Sequence, residues 1–456
     1  MKQALYGIAG GLVAGLLALT VIFWGPLTSG EDSSSDDLSV SESASSAPSA
    51  TAPPTASEIT PVVEKCSVQE AESAEGILTL QAQVRDASTG EVLFDRGSNI
   101  PARTASVLKL FTAAAALETL GPDYTVATRV YVDAKDPSIL YLVGGGDPTL
   151  SRTDGNSQSV YRNAPKLDTL AKQIKSWSRT QTFSKIVLDS TLFGGASGEY
   201  HPDWDKLRGL SEGWMSPVSA LQVDGDRDNP ASKDSKRSAD PVARAGTWFL
   251  QSLGESASKA VIQKARTPAD AIEIAKVESR PISEWINYML KVSDNTLSEA
   301  LARLISLDVG LGGSSGSLTE SYKRALGNTG LDFASFRVID GSGLSANSGV
   351  TPSLVNDLLV LVNADYGSVK TILSGMPVAG SGGSLGSRLT EAGGQITAKT
   401  GWIRTGYSLA GFADSPDGSK LIFTVYNLGF VSISNREAMD NLVLAIYNCG
   451  GELGNE

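Results

Sequence analysis

Three short clusters follow one another along the chain: Ser106-Val-Leu-Lys109, Ser293-Asp-Asn295 and Lys399-Thr-Gly401. Together they offer a hydroxyl nucleophile, an amine that could take its proton, a second hydroxyl to relay that proton, an amide, and an anion-binding cation. A serine hydroxyl is unreactive at its own pKa and needs an adjacent base. Lys109 can serve only when neutral, which requires burial or a neighbouring positive charge. Lys399 is the natural second cation. The chemistry implied is serine acyl transfer without histidine.

Each cluster alone says little. Ser106 could be an ordinary helix cap and Lys109 a solvated helix charge. Ser293-Asp-Asn295 could be an Asx-type turn between two helices, and Lys399-Thr-Gly401 an exposed strand end. Order and co-occurrence give the set its weight. Histidine chemistry has little to work with, because the chain of 456 residues holds one His, His201, in a Tyr-His-Pro loop. There is no helical His-Glu-x-x-His pair for zinc, and no Gly-x-Ser-x-Gly elbow supports a triad built on His201; no metal and no cofactor are expected.

The elements around these clusters must position them. Ile77–Val84 and Glu91–Phe94 alternate like strands about Ala87-Ser-Thr-Gly90, a hairpin signature. A helix is expected from Ser106 to Leu120, closed by Gly121-Pro122. Ser106 and Lys109 then share one face of its first turn. Helical periodicity returns over Ser283–Leu307, broken at Ser293-Asp-Asn295, and again at Ser353–Val362. Strands are expected at Gln395–Lys399, Tyr407–Ala413 and Leu421–Tyr426, and a last helix at Asn435–Tyr447. The 183 residues between Lys109 and Ser293 carry strand-like segments at Thr128–Val132, Ile139–Val143 and Lys185–Asp189. Helix-like ones fall at Lys166–Trp177 and Pro241–Leu253, and the whole reads as inserted material. The expected organisation is therefore 64–120 with 280–456 as one catalytic domain, and 121–279 as inserted accessory domains.

The chain opens with Lys2 and then 24 uncharged, largely apolar residues, Ala4 to Leu27. That length can span about 30 Å of hydrocarbon. Residues 1–29 are thus expected to be a membrane anchor or a cleaved signal segment, leaving the remainder outside the cytoplasmic membrane. Residues 30–63 hold six acids and no base among Ser, Thr, Ala and Pro, the composition of a disordered linker. The net charge of −12, with no basic aromatic stretch, argues against nucleic acid. Cys66 and Cys449 bracket the folded region; in an oxidising compartment they suggest one disulfide, with two buried thiols as the alternative.

With further segments added, the chain resembles the class C low-molecular-mass penicillin-binding proteins, the D-alanyl-D-alanine carboxypeptidase/endopeptidase family of S13-like peptidases. Gly144-Gly-Gly-Asp-Pro-Thr-Leu150, Asp340-Gly-Ser-Gly-Leu-Ser345, Met376-Pro-Val-Ala-Gly380 and Gly383-Ser-Leu385 are similar to family segments. The likeness runs over roughly 66–449. It implies an α/β (α+β) transpeptidase core, an antiparallel sheet flanked by helices, with large inserted domains. It also implies that Ser106 attacks the peptide bond between the terminal D-alanines of peptidoglycan stem peptides, helped by Lys109 and Ser293. Asn295 would orient a substrate amide, and Lys399, Thr400 and Gly401 the terminal carboxylate. The N–H groups of Ser106 and Trp402 would form an oxyanion hole, while Gly343 and Leu344 would line the pocket edge. β-Lactam antibiotics would bind covalently. Two departures stand out: Trp402 occupies a position usually small or hydroxylated, and the acid that reads a diamino acid side chain in some relatives has no obvious counterpart within Asp189–Trp204. Other readings are a β-lactamase-like hydrolase, against which the long insertion argues, and an inactive wall-binding protein.

Overall fold

The computed structural model describes residues 66–454; the expected anchor (1–29) and linker (30–63) lie outside these. Ten strands lie in two sheets. They are β1 (Thr79–Asp86), β2 (Val92–Arg96), β3 (Ala127–Val132), β4 (Ile139–Val143), β5 (Lys185–Asp189), β6 (Val261–Lys264), β7 (Ile272–Glu278), β8 (Ile396–Ile403), β9 (Gly406–Asp414) and β10 (Lys420–Leu428).

The first sheet runs β2-β1-β10-β9-β8, antiparallel throughout. The residues of β9 and β10 are buried along almost their whole length, as expected of strands covered on both faces. The pleat sends Ala410, Phe412, Ile422 and Tyr426 into a core shared with the Lys109–Thr119 helix, and Leu409, Ala413, Leu421 and Phe423 into one shared with the Ile433–Cys449 helix. The sheet is thus a two-sided wedge. β8 forms its edge nearest the three clusters.

One expectation is corrected at that edge. Lys399 was to end a strand, yet β8 continues through Thr400, Gly401 and Trp402 to Ile403. Gly401 does not break the strand; it thins it. A Cβ there would stand 2.1 Å from the Ser408 hydroxyl oxygen and 3.0 Å from the Ser106 nitrogen. Only glycine lets the Ser106 turn lie this close to the strand.

The second sheet, β6-β5-β4-β3-β7, belongs to the insertion. β4, β5 and β6 are parallel, while β3 pairs antiparallel with β4 and β7. The Leu167–Trp177 and Pro241–Leu253 helices supply its core through Leu170, Ile174, Val242 and Phe249. β6 and β7 escaped sequence reading because both are edge strands, largely exposed and rich in Lys, Gln and Glu. The span 121–279 is also divided in its packing. Phe193, Trp204, Met215 and Val218 leave the second sheet and join the helical core around Leu110 and Phe111.

Candidate active site

The turn that carries Ser106 is built under strain. Ala105 has φ 45°, a left-handed conformation costly for alanine. It opens the short 3₁₀ turn Ala105–Leu108 that leads into the Lys109–Thr119 helix. Two contacts hold it there. The Ser408 hydroxyl donates to the Thr104 carbonyl over 2.5 Å, and Gly343, at φ 80°, leaves room for the Ala105 carbonyl where a Cβ would come within 1.9 Å. Gly343 therefore sits behind the Ser106 turn. Leu344 lines the cavity.

Lys109 is fully buried. Its Nζ donates to Ser106 Oγ, Asn295 Oδ1 and the Ser342 carbonyl, each at 2.8 Å. Burial drives its pKa down to about 8, although Asp340, Glu299 and Asp294 pull the proton back. Burial likewise raises the Glu299 carboxyl, with Asp340 adding to the effect.

Ser293-Asp-Asn295 is the joint between two helices. Ser293, at φ 62°, ends the Ile282–Val292 helix, and Asp294 caps Asn295–Asp308 by accepting from the Leu297 N–H at 2.9 Å. The cap and the site are one object: reversing the chain at Ser293 turns its hydroxyl and the Asn295 amide toward Lys109 and Lys399. Asp294 is itself buried against Arg227 of the insertion at 2.8 Å. Burial opposes its charge, but Arg227 and Arg237 hold its carboxyl below the usual range.

On β8, Lys399 Nζ donates to Ser293 Oγ at 3.1 Å and to the Thr400 carbonyl at 2.7 Å. Burial pushes this amine well below its ordinary value, and Lys109, Lys233 and Arg388 push it further. The Ala398 N–H points away from β9, to the Pro377 carbonyl. By the antiparallel alternation those of Thr400 and Trp402 face outward too. The Trp402 N–H thus lies on the open side of the strand, as does the Ser106 turn.

These groups meet at a cavity of about 780 Å³ lined by Ser106, Ser293, Asn295, Thr400, Gly401 and Trp402. Lys109 and Lys399 lie beneath its floor, joined to it through the two serines. The Trp402 indole is 52% exposed and lines the cavity. Cys66 and Cys449 are joined by a disulfide, far from these motifs in sequence.

Several residues here were not found by sequence reading. Ser384 accepts from Thr400 Oγ1 at 2.7 Å and also lines the cavity; its Gly-Ser-Leu segment was noticed without assigning the hydroxyl. From the insertion come Asp203, Trp204 and Trp214. Trp214 offers its carbonyl to Asn295 Nδ2 at 2.9 Å, and Trp204 Nε1 donates to Asp340 at 2.7 Å. No local pattern marks a backbone carbonyl that arrives from 81 residues away. Of the acids in Asp189–Trp204, Asp189 bonds the Thr191 and Thr267 backbone and Glu199 pairs with Arg303. Asp203 alone of these faces the cavity, kept ionised by hydrogen bonds from Ser345 and Asn347. His201 packs beside Trp204 and accepts from the Asp203 N–H at 3.2 Å.

A family model, the D-Ala-D-Ala carboxypeptidase 3 (S13) family, matches residues 70–236 and 226–448. The carboxypeptidase Rv3627c of Mycobacterium tuberculosis is 30% identical over 379 residues, 81% of this chain and 80% of that protein. The D-alanyl-D-alanine carboxypeptidase of Actinomadura sp. (strain R39) is 28% identical over 443 residues, covering 81% of each. Among solved structures, penicillin binding protein 4 of Haemophilus influenzae superposes with a TM-score of 0.71 at 18% identity, over 84% of this chain and 99% of that one.

Proposed function

The chain belongs to the D-Ala-D-Ala carboxypeptidase 3 (S13) family, and from that premise we propose that it hydrolyses the D-alanyl-D-alanine terminus of peptidoglycan stem peptides through an acyl-enzyme on Ser106. The observation that carries this reading is the buried Lys109 amine, 2.8 Å from Ser106 Oγ.

Ser106 Oγ attacks the carbonyl carbon of the penultimate D-alanine while Lys109 Nζ takes its proton. The oxyanion is met by the N–H groups of Ser106 and Trp402, each such donor contributing about 3–4 kcal/mol in serine hydrolases. Ser293, bonded to Lys399, relays the proton taken by Lys109 to the departing amine, which leaves Lys109 neutral again. Water then attacks the ester, with Lys109 again as base, releasing the shortened peptide and restoring the Ser106 hydroxyl.

The two lysines compete for a proton in this site. The carboxylates around Lys109 favour its charged form, whereas Lys399 has only cations among the neighbours that bear on it. A substrate carboxylate arriving at Lys399, Thr400 and Ser384 supplies the anion that the Lys399 amine lacks. Asp203, anionic at the cavity rim, suits the amine of a diamino acid side chain.

Labelled penicillin tests the core of the reading. It should attach covalently to the wild type and not to Ser106→Ala, and D-alanine release should vanish in step. Undiminished labelling of Ser106→Ala would refute it. Residues 4–27, basic at one end and followed by acids, support anchoring at the membrane with the catalytic unit outside. In cell fractionation the full chain should sediment with membranes and a chain starting at residue 64 should not.

A further inference from the structure

The cavity is electrically lopsided. Its insertion side carries Asp203 and Asp205, with Arg208 engaged by Glu212 at 2.8 Å. Its other end, at the β8–β9 hairpin and the start of the Ile433–Cys449 helix, carries Arg404 and Arg436, and Arg388 joins the lining from the loop before β8. Asp440 holds Arg388 in a two-point pair at 2.6 and 2.9 Å. Neither Arg404 nor Arg436 has an ion-pair partner among the described residues. Arg436 Nε is buried with no hydrogen-bond acceptor. It also stands at the start of a helix whose first turn holds no acid, the end where a cation is disfavoured and an anion favoured. The same cavity is lined by the exposed Trp402 and Phe430 side chains and by Tyr407, whose ring centroid is 6.5 Å from that of Trp402.

The strand fixes which part of a substrate reaches this end. Thr400 marks the terminal carboxylate and the Trp402 N–H the scissile carbonyl. At about 3.3 Å per residue, Arg404 lies past the carbonyl, over the acyl side of the peptide. We propose that Arg404 and Arg436 form an anion-binding subsite that recognises a free carboxylate on the acyl side of the stem peptide, so that the enzyme prefers acidic over amidated substrates. Trp402 and Phe430 flank that carboxylate and, once a peptide covers them, exclude the water that would screen the pairing. This rests on the carboxypeptidase reading above for the orientation of the substrate.

The test compares two D-alanyl-D-alanine peptides identical except for a carboxylate or a carboxamide two or three residues before the scissile bond. The wild type should show a KM about 5- to 20-fold lower for the carboxylate, a gap that narrows in high salt. In Arg404→Gln/Arg436→Gln the KM for the acidic peptide should rise to meet that of the amide, while Arg404→Lys/Arg436→Lys should recover part of the preference. Equal KM values in the wild type, or a preference that persists in the Gln double variant, would overturn the proposal. The same pair titrated onto Ser106→Ala reads the subsite without turnover. A carboxylate preference there with no D-alanine release by the wild type would uphold the subsite and refute the hydrolytic reading; release without preference would do the reverse.

Discussion

Lys109 shows why this site needs depth more than it needs a special side chain. An exposed lysine at its ordinary pKa is almost wholly protonated at neutral pH and is no base. Complete burial brings Lys109 down to about 8, near enough to neutrality that an appreciable fraction is uncharged while the amine stays basic. The sign of the pH dependence follows. The neutral amine is the active form, so acylation by penicillin should rise with pH and level off above about 8. At pH 6 it should be about 100-fold below the plateau, tenfold per unit. A flat profile between pH 6 and 9 would rule Lys109 out as the base. Lys109→Met should lower the plateau by about 10²–10⁴-fold, the usual contribution of a positioned base.

Among the elements, the joint at Ser293-Asp-Asn295 bears the most. Asp294 caps one helix, ends the turn that aims Ser293, and neutralises Arg227, which is 1% exposed. Tyr161 also reaches it, its hydroxyl 3.2 Å away. Removing a partner from a buried pair leaves an uncompensated charge and costs about 3–5 kcal/mol. Asp294→Asn should therefore destabilise the protein by that amount in urea unfolding, and Asp294→Asn/Arg227→Met should regain much of it. A loss below about 1 kcal/mol for the single variant would mean that the pair is not structurally important. Strand β8 works the other way, through what it lacks. With glycine at 401, the Ser106 turn and the strand can approach closely, as the proposed oxyanion hole requires.

At the scale of the whole molecule, the two cysteines tie the beginning of the described chain to its last helix, 383 residues apart. Cys66 also exchanges backbone hydrogen bonds with the C-terminal turn, from its N–H to Glu452 and from Gly454 to its carbonyl. The disulfide constrains the unfolded chain, an effect of about 2–4 kcal/mol. Cys66→Ser/Cys449→Ser should lower Tm by several degrees yet keep penicillin labelling at 25 °C, because the bridge lies outside the cavity. Lost labelling in a folded double variant would contradict this. The insertion is less separable. It sends Trp204 and Met215 into the helical core around Leu110 and Phe111 and Asp203 and Trp214 to the cavity, so residues 121–279 line the site as well as forming the second sheet.

The sequence alone was enough to mark Ser106, Lys109, Ser293, Asn295 and Lys399-Thr-Gly401 as one candidate site, because each group is carried by a short motif whose residues are neighbours in the chain, and the folded chain gathers them around one cavity. It also yielded the buried strands and amphipathic helices, whose hydrophobic periodicity is a local property. The exposed edge strands β6 and β7 were missed, lacking an apolar face to announce them. Three things were decided only by the folded chain. Burial moved Lys109 into the range of a base. The Trp214 carbonyl, outside every motif, and the Ser384 hydroxyl, in a segment whose sequence assigned it no role, became parts of the site. Arg404 and Arg436 came to share one cavity wall. Each depends on groups brought together across long stretches of chain, and electrostatics and desolvation act through space, so no spacing along the sequence could have encoded them legibly.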